Sequence, residues 1–261
     1  MATKVWLGTT SSDVTVSTNW SPANQPVALD DVIITGNVAI TGAVLATGNL
    51  SSLTIRDYTG AIGSESSPLV VDLDTDSTVS IDTTGKAYLD FNASIVDIDV
   101  IQTSTTTGTA RGLHLSGSGA RTVNAYGSSS VLITETLDND INTFGAQTKV
   151  TLAAGATAVN FTGSGELVCY GNLTNIYASG SDVNYYGDAL TTAEAEGGAA
   201  IYHRSAANIT NANAHGGRIS GEDTNATATI TNTSVRDGGE ILPGRNWTIT
   251  NNPTTPYKLS S

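Results

Sequence analysis

The sequence has little cysteine, little positive charge and no long apolar run. Its single cysteine, Cys169, excludes an intrachain disulfide and a cysteine-rich metal site, and we expect it to be a small buried side chain in a strand. Only 11 lysines and arginines stand against 24 acidic residues, which argues against a nucleic-acid binder, because such a protein follows phosphates with a positive face. No apolar run approaches ~18 residues, so we expect no segment to span a membrane.

Secretory-signal features and strong helix formers are also scarce. The first residues, MATKVWLGTTSSD, have neither the apolar stretch nor the cleavage site of a secretory signal, which predicts a soluble chain made in the cytoplasm. Charged residues make up 13% of the chain and aromatic residues 6%, while Gly, Ser, Thr, Asn and Ala dominate, a composition that disfavours helices. Apolar residues still reach 39%, which excludes a disordered chain.

What the chain has instead is a series of short apolar runs that alternate with polar residues. They are clearest between Ser67 and Val100, where turn-forming residues separate four such runs. In the run Leu69–Leu73 every second residue is apolar, and in the run Ile95–Val100 aspartates fill two of the alternate positions. A period of two over four to six residues is typical of half-buried β-strands.

These runs recur at short intervals almost to the end of the chain. Coarser recurrences lie about twenty residues apart, as from Val32 to Leu53, and the triplet Ile209–Asn211 returns as Ile230–Asn232. A sandwich would have fewer and longer strands with larger aromatic residues between its sheets. The sequence therefore predicts an all-β fold, a single-stranded parallel β-solenoid of roughly ten to twelve short coils.

The chain divides into three predicted regions. Residues 1–36, with Trp6 and Trp20, are expected to form an N-terminal cap and an entrance strand, because the first coil of a solenoid has an end to cover. Residues 37–250 are expected to form the solenoid, with the stretch Leu190–Gly198 as a loop or a single helical turn. Residues 251–261 contain two prolines and are expected to form an extended C-terminal arm.

The stretch from Asn19 to Ile34, NWSPANQPVALDDVII, resembles the NWS…P…DDVxI opening of β-solenoid proteins found among bacterial adhesins and phage virion proteins. The composition is likewise similar to that of phage decoration proteins, head fibres and tailspikes. The resemblance covers roughly thirty residues, marks a solenoid entrance rather than a chemistry, and implies a homotrimer in the virion bound to the major capsid protein or another virion protein. We therefore expect a non-enzymatic capsid decoration protein, since 261 residues leave little room for the extra domains of a tailspike.

Two other functions remain open at this point: a tailspike or tail fibre that binds or depolymerises a surface polysaccharide, and an adhesin-like binding module. An enzyme would need a carboxyl pair, for which Asp30–Asp31 is a candidate, or an acidic group with an arginine base, for which Arg56–Asp57 and Arg236–Asp237 are candidates. The histidines have no spacing typical of a metal site or a triad: His114, His203 and His215. Five tyrosines could stack as a sugar platform or pack between coils: Tyr170, Tyr177, Tyr185, Tyr186 and Tyr202.

The sequence predicts no catalytic residue and no cofactor, and it offers one candidate for a cation site. Asp72, Asp74 and Asp76 have the alternate spacing of a calcium loop, but position twelve is Thr83 rather than Glu and the glycine at position six is missing. A solvated acidic face is the alternative. For attachment to a partner, the candidate residues are Trp6, Trp20 and Tyr257, because buried aromatic residues and arms often anchor interfaces.

Overall fold

The computed structural model describes residues 1–103, 112–134, 140–145, 147–153, 156–221 and 225–251. Over these ranges the chain contains strands and no α-helix, with a short 3-10 turn at Ser17–Asn19. The strands stack in parallel as about ten coils, which confirms the predicted parallel β-solenoid. The chain forms two compact units, Met1–Thr136 and Leu137–Ser261, a division that the sequence did not predict.

The strands are short in the second unit and longer in the middle of the first. Unit 1 contains β1 (Thr3–Trp6), β2 (Trp20–Ser21), β3 (Asp31–Gly36), β4 (Leu50–Tyr58), β5 (Leu69–Thr83), β6 (Ala87–Gln102), β7 (Leu113–Tyr126) and β8 (Ser130–Ile133). Unit 2 contains β9 (Asp140–Phe144), β10 (Lys149–Leu152), β11 (Ala156–Gly163), β12 (Glu166–Cys169), β13 (Leu173–Ser179), β14 (Asp182–Tyr185), β15 (Leu190–Glu196), β16 (Ala200–His203), β17 (Ile209–His215), β18 (Arg218–Ser220), β19 (Ala228–Arg236), β20 (Glu240–Leu242) and β21 (Trp247–Asn251).

In unit 1 the coils stack so that apolar side chains lie directly above one another. After the antiparallel pair β1–β2, β3 pairs in parallel with β1 and β4, and each strand through β8 pairs with the next. Because side chains alternate between the faces of a strand, alternate register columns point inward, and one of these columns is buried at every level. It consists of Val32, Leu53, Val79, Ile98 and Val123.

Several runs that the sequence separates are joined in the structure. The predicted strands Leu69–Leu73 and Val79–Ile81 both lie in β5, and the register against β6 shifts between Asp72 and Thr78. The residues between these runs include no glycine or proline, and the chain stays in the strand conformation through the register shift. The predicted strand Val38–Thr41, in contrast, is reduced to a single bridge between Ile40 and Ile62.

Unit 2 is built from two parallel ladders that alternate along the chain. One ladder joins β10, β12, β14, β16, β18 and β20, and the other joins β9, β11, β13, β15, β17, β19 and β21. The repeated triplet is confirmed by the register, since Ile209 pairs with Ile230 and Asn211 with Asn232. Cys169 is fully buried at the end of β12, as predicted, and burial raises the pKa of its thiol.

The prediction of a loop or helical turn at Leu190–Gly198 is wrong. Leu190–Glu196 is strand β15, which pairs with β13 and β17. The alternation is present there, but the inward positions hold Ala193 and Ala195, both fully buried. Alanine and glutamate favour helices by intrinsic propensity, and the stacking of neighbouring coils overrides that preference.

Two glycines are required where coils approach closely. Gly117 and Gly163 both have φ of 120°, a region that residues with a Cβ rarely adopt. A Cβ atom would overlap the backbone oxygen of Phe91 at Gly117 and that of Thr143 at Gly163. The glycines therefore keep adjacent coils at hydrogen-bonding distance.

Candidate functional site

The candidate carboxyl pair Asp30–Asp31 stabilises the cap. The Asp30 side chain is buried and accepts hydrogen bonds from the backbone N–H groups of Ala2 (2.8 Å) and Val27 (3.1 Å). Asp31, the first residue of β3, accepts a hydrogen bond of 2.7 Å from the Ser52 hydroxyl on the next coil. Each carboxylate thus has a structural partner in the entrance of the solenoid.

The indoles of Trp6 and Trp20 form the centre of the cap. Their side chains are 1% and 2% exposed, and the rings meet edge to face with centroids 5.2 Å apart. Trp20 Nε1 donates a hydrogen bond of 2.7 Å to the backbone oxygen of Val14. This burial favours the packing role over the predicted attachment role for both rings. Tyr257 and the rest of the predicted arm beyond Asn251 lie outside the described residues.

The N-terminal part of the chain, from the predicted cap to Val44, exposes aliphatic side chains instead. Five of them are between 37% and 51% exposed, and we call this set the cap surface: Leu7, Val27, Leu29, Val38 and Val44. Within the described part of the chain, Met1 and Ile101 are the other large aliphatic side chains with comparable exposure. Two contacts join segments that carry members of the set: a Cβ at Gly8 would touch Val38, and Gln25 Nε2 donates to the Val44 oxygen at 3.2 Å.

The candidate calcium ligands lie on a strand rather than in a loop. Asp72 and Asp74 occupy alternate, half-exposed positions of β5. Asp72 accepts a hydrogen bond of 3.1 Å from the Asn92 amide on the next coil, and Asp74 accepts one of 2.9 Å from the N–H of Thr75. The structure does not describe the side chain of Asp76. A cation site at these three residues therefore stays a prediction.

Both candidate arginine–aspartate pairs mark backbone irregularities. Asp57 has φ of 50° and sits in β4 where the register against β5 shifts. Asp237 has φ of 54° and begins the turn that follows β19. Aspartate tolerates this left-handed conformation better than most residues because its short side chain can hydrogen-bond locally. The backbone therefore accounts for an aspartate at both positions.

The tyrosines pack in different ways. Tyr170 and Tyr186 are 55% and 42% exposed and stack on each other, with ring centroids 5.2 Å apart and planes inclined by 20°. The stacking covers one face of each ring. Tyr185 is fully buried, while Arg204 lies 5.2 Å above the ring of Tyr202. The stacked pair therefore acts as a contact between coils.

The structure gives the three histidines separate environments. His114 meets the Tyr88 ring edge to face at 5.0 Å, and partial burial lowers its pKa. His203 is fully buried beside the rings of Tyr185 and Trp247, and burial lowers its pKa to about 4. His215 lies at the end of β17 on an outward face.

His215 belongs to a cluster with two glutamates of the neighbouring strand. Glu194 and Glu196 occupy alternate outward positions of β15, and ligand atoms of all three side chains lie within 4.8 Å of one another. We call these three residues the Glu–His cluster. His215 Nδ1 is 3.8 Å from Glu196 Oε1. Sequence reasoning missed the cluster, although the alternation Glu-Ala-Glu in a correctly assigned strand would have placed both carboxylates on one face.

A shallow depression adjoins the Glu–His cluster. Its volume is about 270 Å³, and its lining includes both glutamates together with side chains from two preceding coils: Asn160, Thr162, Tyr177 and Ser179. Hydroxyl and amide groups therefore surround the two carboxylates on the outer face of unit 2.

Acidic side chains on the outer faces repeatedly meet an asparagine of the next coil, an arrangement we call an acid–amide rung. The amide nitrogen donates to the carboxylate at 2.6 to 3.3 Å. The pairs are Asp72–Asn92, Asp99–Asn124, Asp140–Asn160, Glu166–Asn184 and Glu194–Asn213. If successive coils had the same sequence, parallel stacking would place each carboxylate directly opposite another carboxylate, which is destabilising. The acid–amide rungs avoid this repulsion in a chain of net charge −13.

No family model matches the sequence, and searches of curated proteins and of solved structures find no match either. Among the described residues there is no helix of sufficient length and apolarity to cross a membrane.

Proposed function

We propose that this protein is a non-enzymatic structural protein of a phage virion, a capsid decoration protein that assembles as a homotrimer and binds the major capsid protein. The observation that carries the proposal is the concentration of exposed aliphatic side chains in the cap surface, which holds five of the seven found among the described residues. A concentration of exposed aliphatic side chains of this kind is typical of a contact with another protein. The resemblance of Asn19–Ile34 to the entrance of phage and adhesin solenoids supports a virion as the setting.

The outer faces of the coils support a structural role as well. Five carboxylates are engaged in acid–amide rungs, and Asp30 and Asp31 hold the cap together. A glycosidase needs two carboxyl groups that face a substrate across the scissile bond. The carboxylates of the candidate pair are committed to hydrogen bonds within the fold, which favours a scaffold.

Sedimentation of the purified chain tests the proposal, alone and mixed with phage heads stripped of accessory proteins. We expect a trimer that binds heads in fixed stoichiometry. The double variant Val27→Glu/Val44→Glu should remain folded, because both side chains are already exposed, and should lose head binding. Ile101→Glu is the matched control, an exposed aliphatic residue of the same unit outside the cap surface.

A monomer that does not bind phage heads would overturn the proposal. A trimer that does not bind heads would favour a tail protein over a head protein. Binding to a panel of capsular polysaccharides would then be tested. Release of reducing ends by the wild-type chain that disappears in Asp31→Asn would contradict the non-enzymatic assignment.

A further inference from the structure

We propose that the Glu–His cluster binds one divalent transition-metal ion, with Zn²⁺ as the best match. Glu194 and Glu196 come from β15 and His215 from β17, so the ion would join two adjacent coils of unit 2. Their ligand atoms already lie within 4.8 Å of one another. Two ligands of one Zn²⁺ ion lie at most ~4 Å apart, so small side-chain rotations complete the site.

The donor set selects the class of metal. Imidazole nitrogen suits Zn²⁺, Ni²⁺ and Cu²⁺, whereas Ca²⁺ and Mg²⁺ prefer sites made of oxygen atoms alone. One imidazole and two carboxylates are three protein ligands, a number that leaves a coordination position for water. The adjoining depression of about 270 Å³ has room for that water.

Neighbouring side chains orient the ligands. His215 Nε2 lies 3.3 Å from the Ser234 hydroxyl, while Nδ1 is the nitrogen that faces Glu196. Asn213 donates a hydrogen bond of 3.3 Å to Glu194 Oε2 and leaves Oε1 for an ion. Support of this kind from a second layer of residues fixes the direction of a ligand and strengthens metal binding.

The charge of the cluster also favours a cation. Glu194 and Glu196 lie on the same face of one strand, and no lysine or arginine among the described residues forms an ion pair with either of them. For comparison, Glu166 on the other ladder is paired with Lys149 at 2.9 Å. A divalent ion would neutralise both carboxylates at once.

Isothermal titration of the untagged, chelator-treated chain with ZnCl₂ tests the site. We expect one ion per chain. His215→Gln and Glu196→Gln should each weaken binding by about tenfold or more. Matched controls are His114→Gln and Glu166→Gln, which change the same residue types away from the cluster and should bind as the wild type does. The buried thiol of Cys169 is not expected to compete.

A second readout separates binding from folding. Zn²⁺ should raise the melting temperature of the wild type and of the controls but not that of the cluster variants, because an ion that binds only the folded state stabilises it. Equal melting temperatures of all chains in chelator would show that the variants fold. Zn²⁺ affinity unchanged by His215→Gln, or Ca²⁺ binding as tight as Zn²⁺ binding, would overturn the proposal.

Discussion

Unit 1 and unit 2 stack strands in the same parallel way, yet one ladder of unit 2 fills part of its interior with much smaller side chains. The buried columns of unit 1 consist mostly of branched aliphatic residues such as Val32 and Leu53, and one ladder of unit 2 has a similar column that includes Val183. In the β13–β19 ladder of unit 2, small buried side chains recur at Ala193 and Ala212, and the other ladder buries His203. Parallel stacking therefore depends on the alternation of apolar and polar positions rather than on large apolar side chains.

The first way to test this comparison is to remove a large side chain from unit 1. Phe91 is fully buried in β6, and Phe91→Ala should lower the free energy of unfolding by about 3–5 kcal/mol, because the rigid coils above and below cannot close the cavity. Urea unfolding followed by circular dichroism measures the change. Phe144→Ala, at a position 54% exposed, should change stability by no more than about 0.5 kcal/mol. Equal losses at the two positions would contradict the assignment of Phe91 to the core.

The same comparison explains which strands could be predicted from the sequence. The fold class followed from the alternation together with the recurrence of short runs about twenty residues apart, and strands with Val, Ile or Leu inside were predicted in both units. The error at Leu190–Gly198 came from small inward residues, Ala193 and Ala195, whose pattern also fits a helix.

The candidate site was harder to predict because it depends on register. Glu194 and Glu196 are near each other in the sequence, but their distance from His215 is set by the pairing of β15 with β17. The coil length varies, with rung partners 18 to 25 residues apart. No fixed period in the sequence could therefore align His215 with the two glutamates.

The second test is the pH dependence that His203 gives to unit 2. Burial lowers its pKa from 6.5 to about 4, so between these values the unfolded chain binds a proton that the folded chain does not. The contribution of His203 to stability is therefore complete above about pH 6.5 and is lost as the pH falls towards 4, by up to about 3 kcal/mol. The difference in the free energy of unfolding between the wild type and His203→Phe, measured by chemical unfolding across this pH range, isolates the effect. A difference that does not change with pH would show that the fold leaves the pKa of His203 unchanged.

The third test adds volume where the interior of unit 2 holds small side chains. Ala193→Leu should destabilise the chain by about 1–3 kcal/mol, because close-packed coils have no room for three further carbons. Thr191→Leu on the same strand is exposed and should have little effect on the thermal melting curve. If both variants melt at the same temperature as the wild type, the small residues in unit 2 reflect loose packing rather than a tight fit.

The smallest expected effect concerns the outer faces, where the two units are alike. Asn92→Asp in unit 1 and Asn160→Asp in unit 2 each replace the amide of an acid–amide rung, so that a carboxylate faces Asp72 or Asp140. Both sites are exposed, and like charges opposite each other should cost about 0.2–1 kcal/mol, most at low ionic strength. Chemical unfolding at two salt concentrations measures this.

Asn92→Ser and Asn160→Ser are the matched controls, because they remove the amide donor without adding charge. Their loss of stability should not depend on salt, whereas that of the aspartate variants should shrink as salt is added. A salt-dependent loss of stability for the aspartate variants in both units would mean that both units need a neutral residue opposite each carboxylate, although their interiors differ. A loss confined to one unit would instead mean that the rungs stabilise the fold only where the interior beneath them is weak.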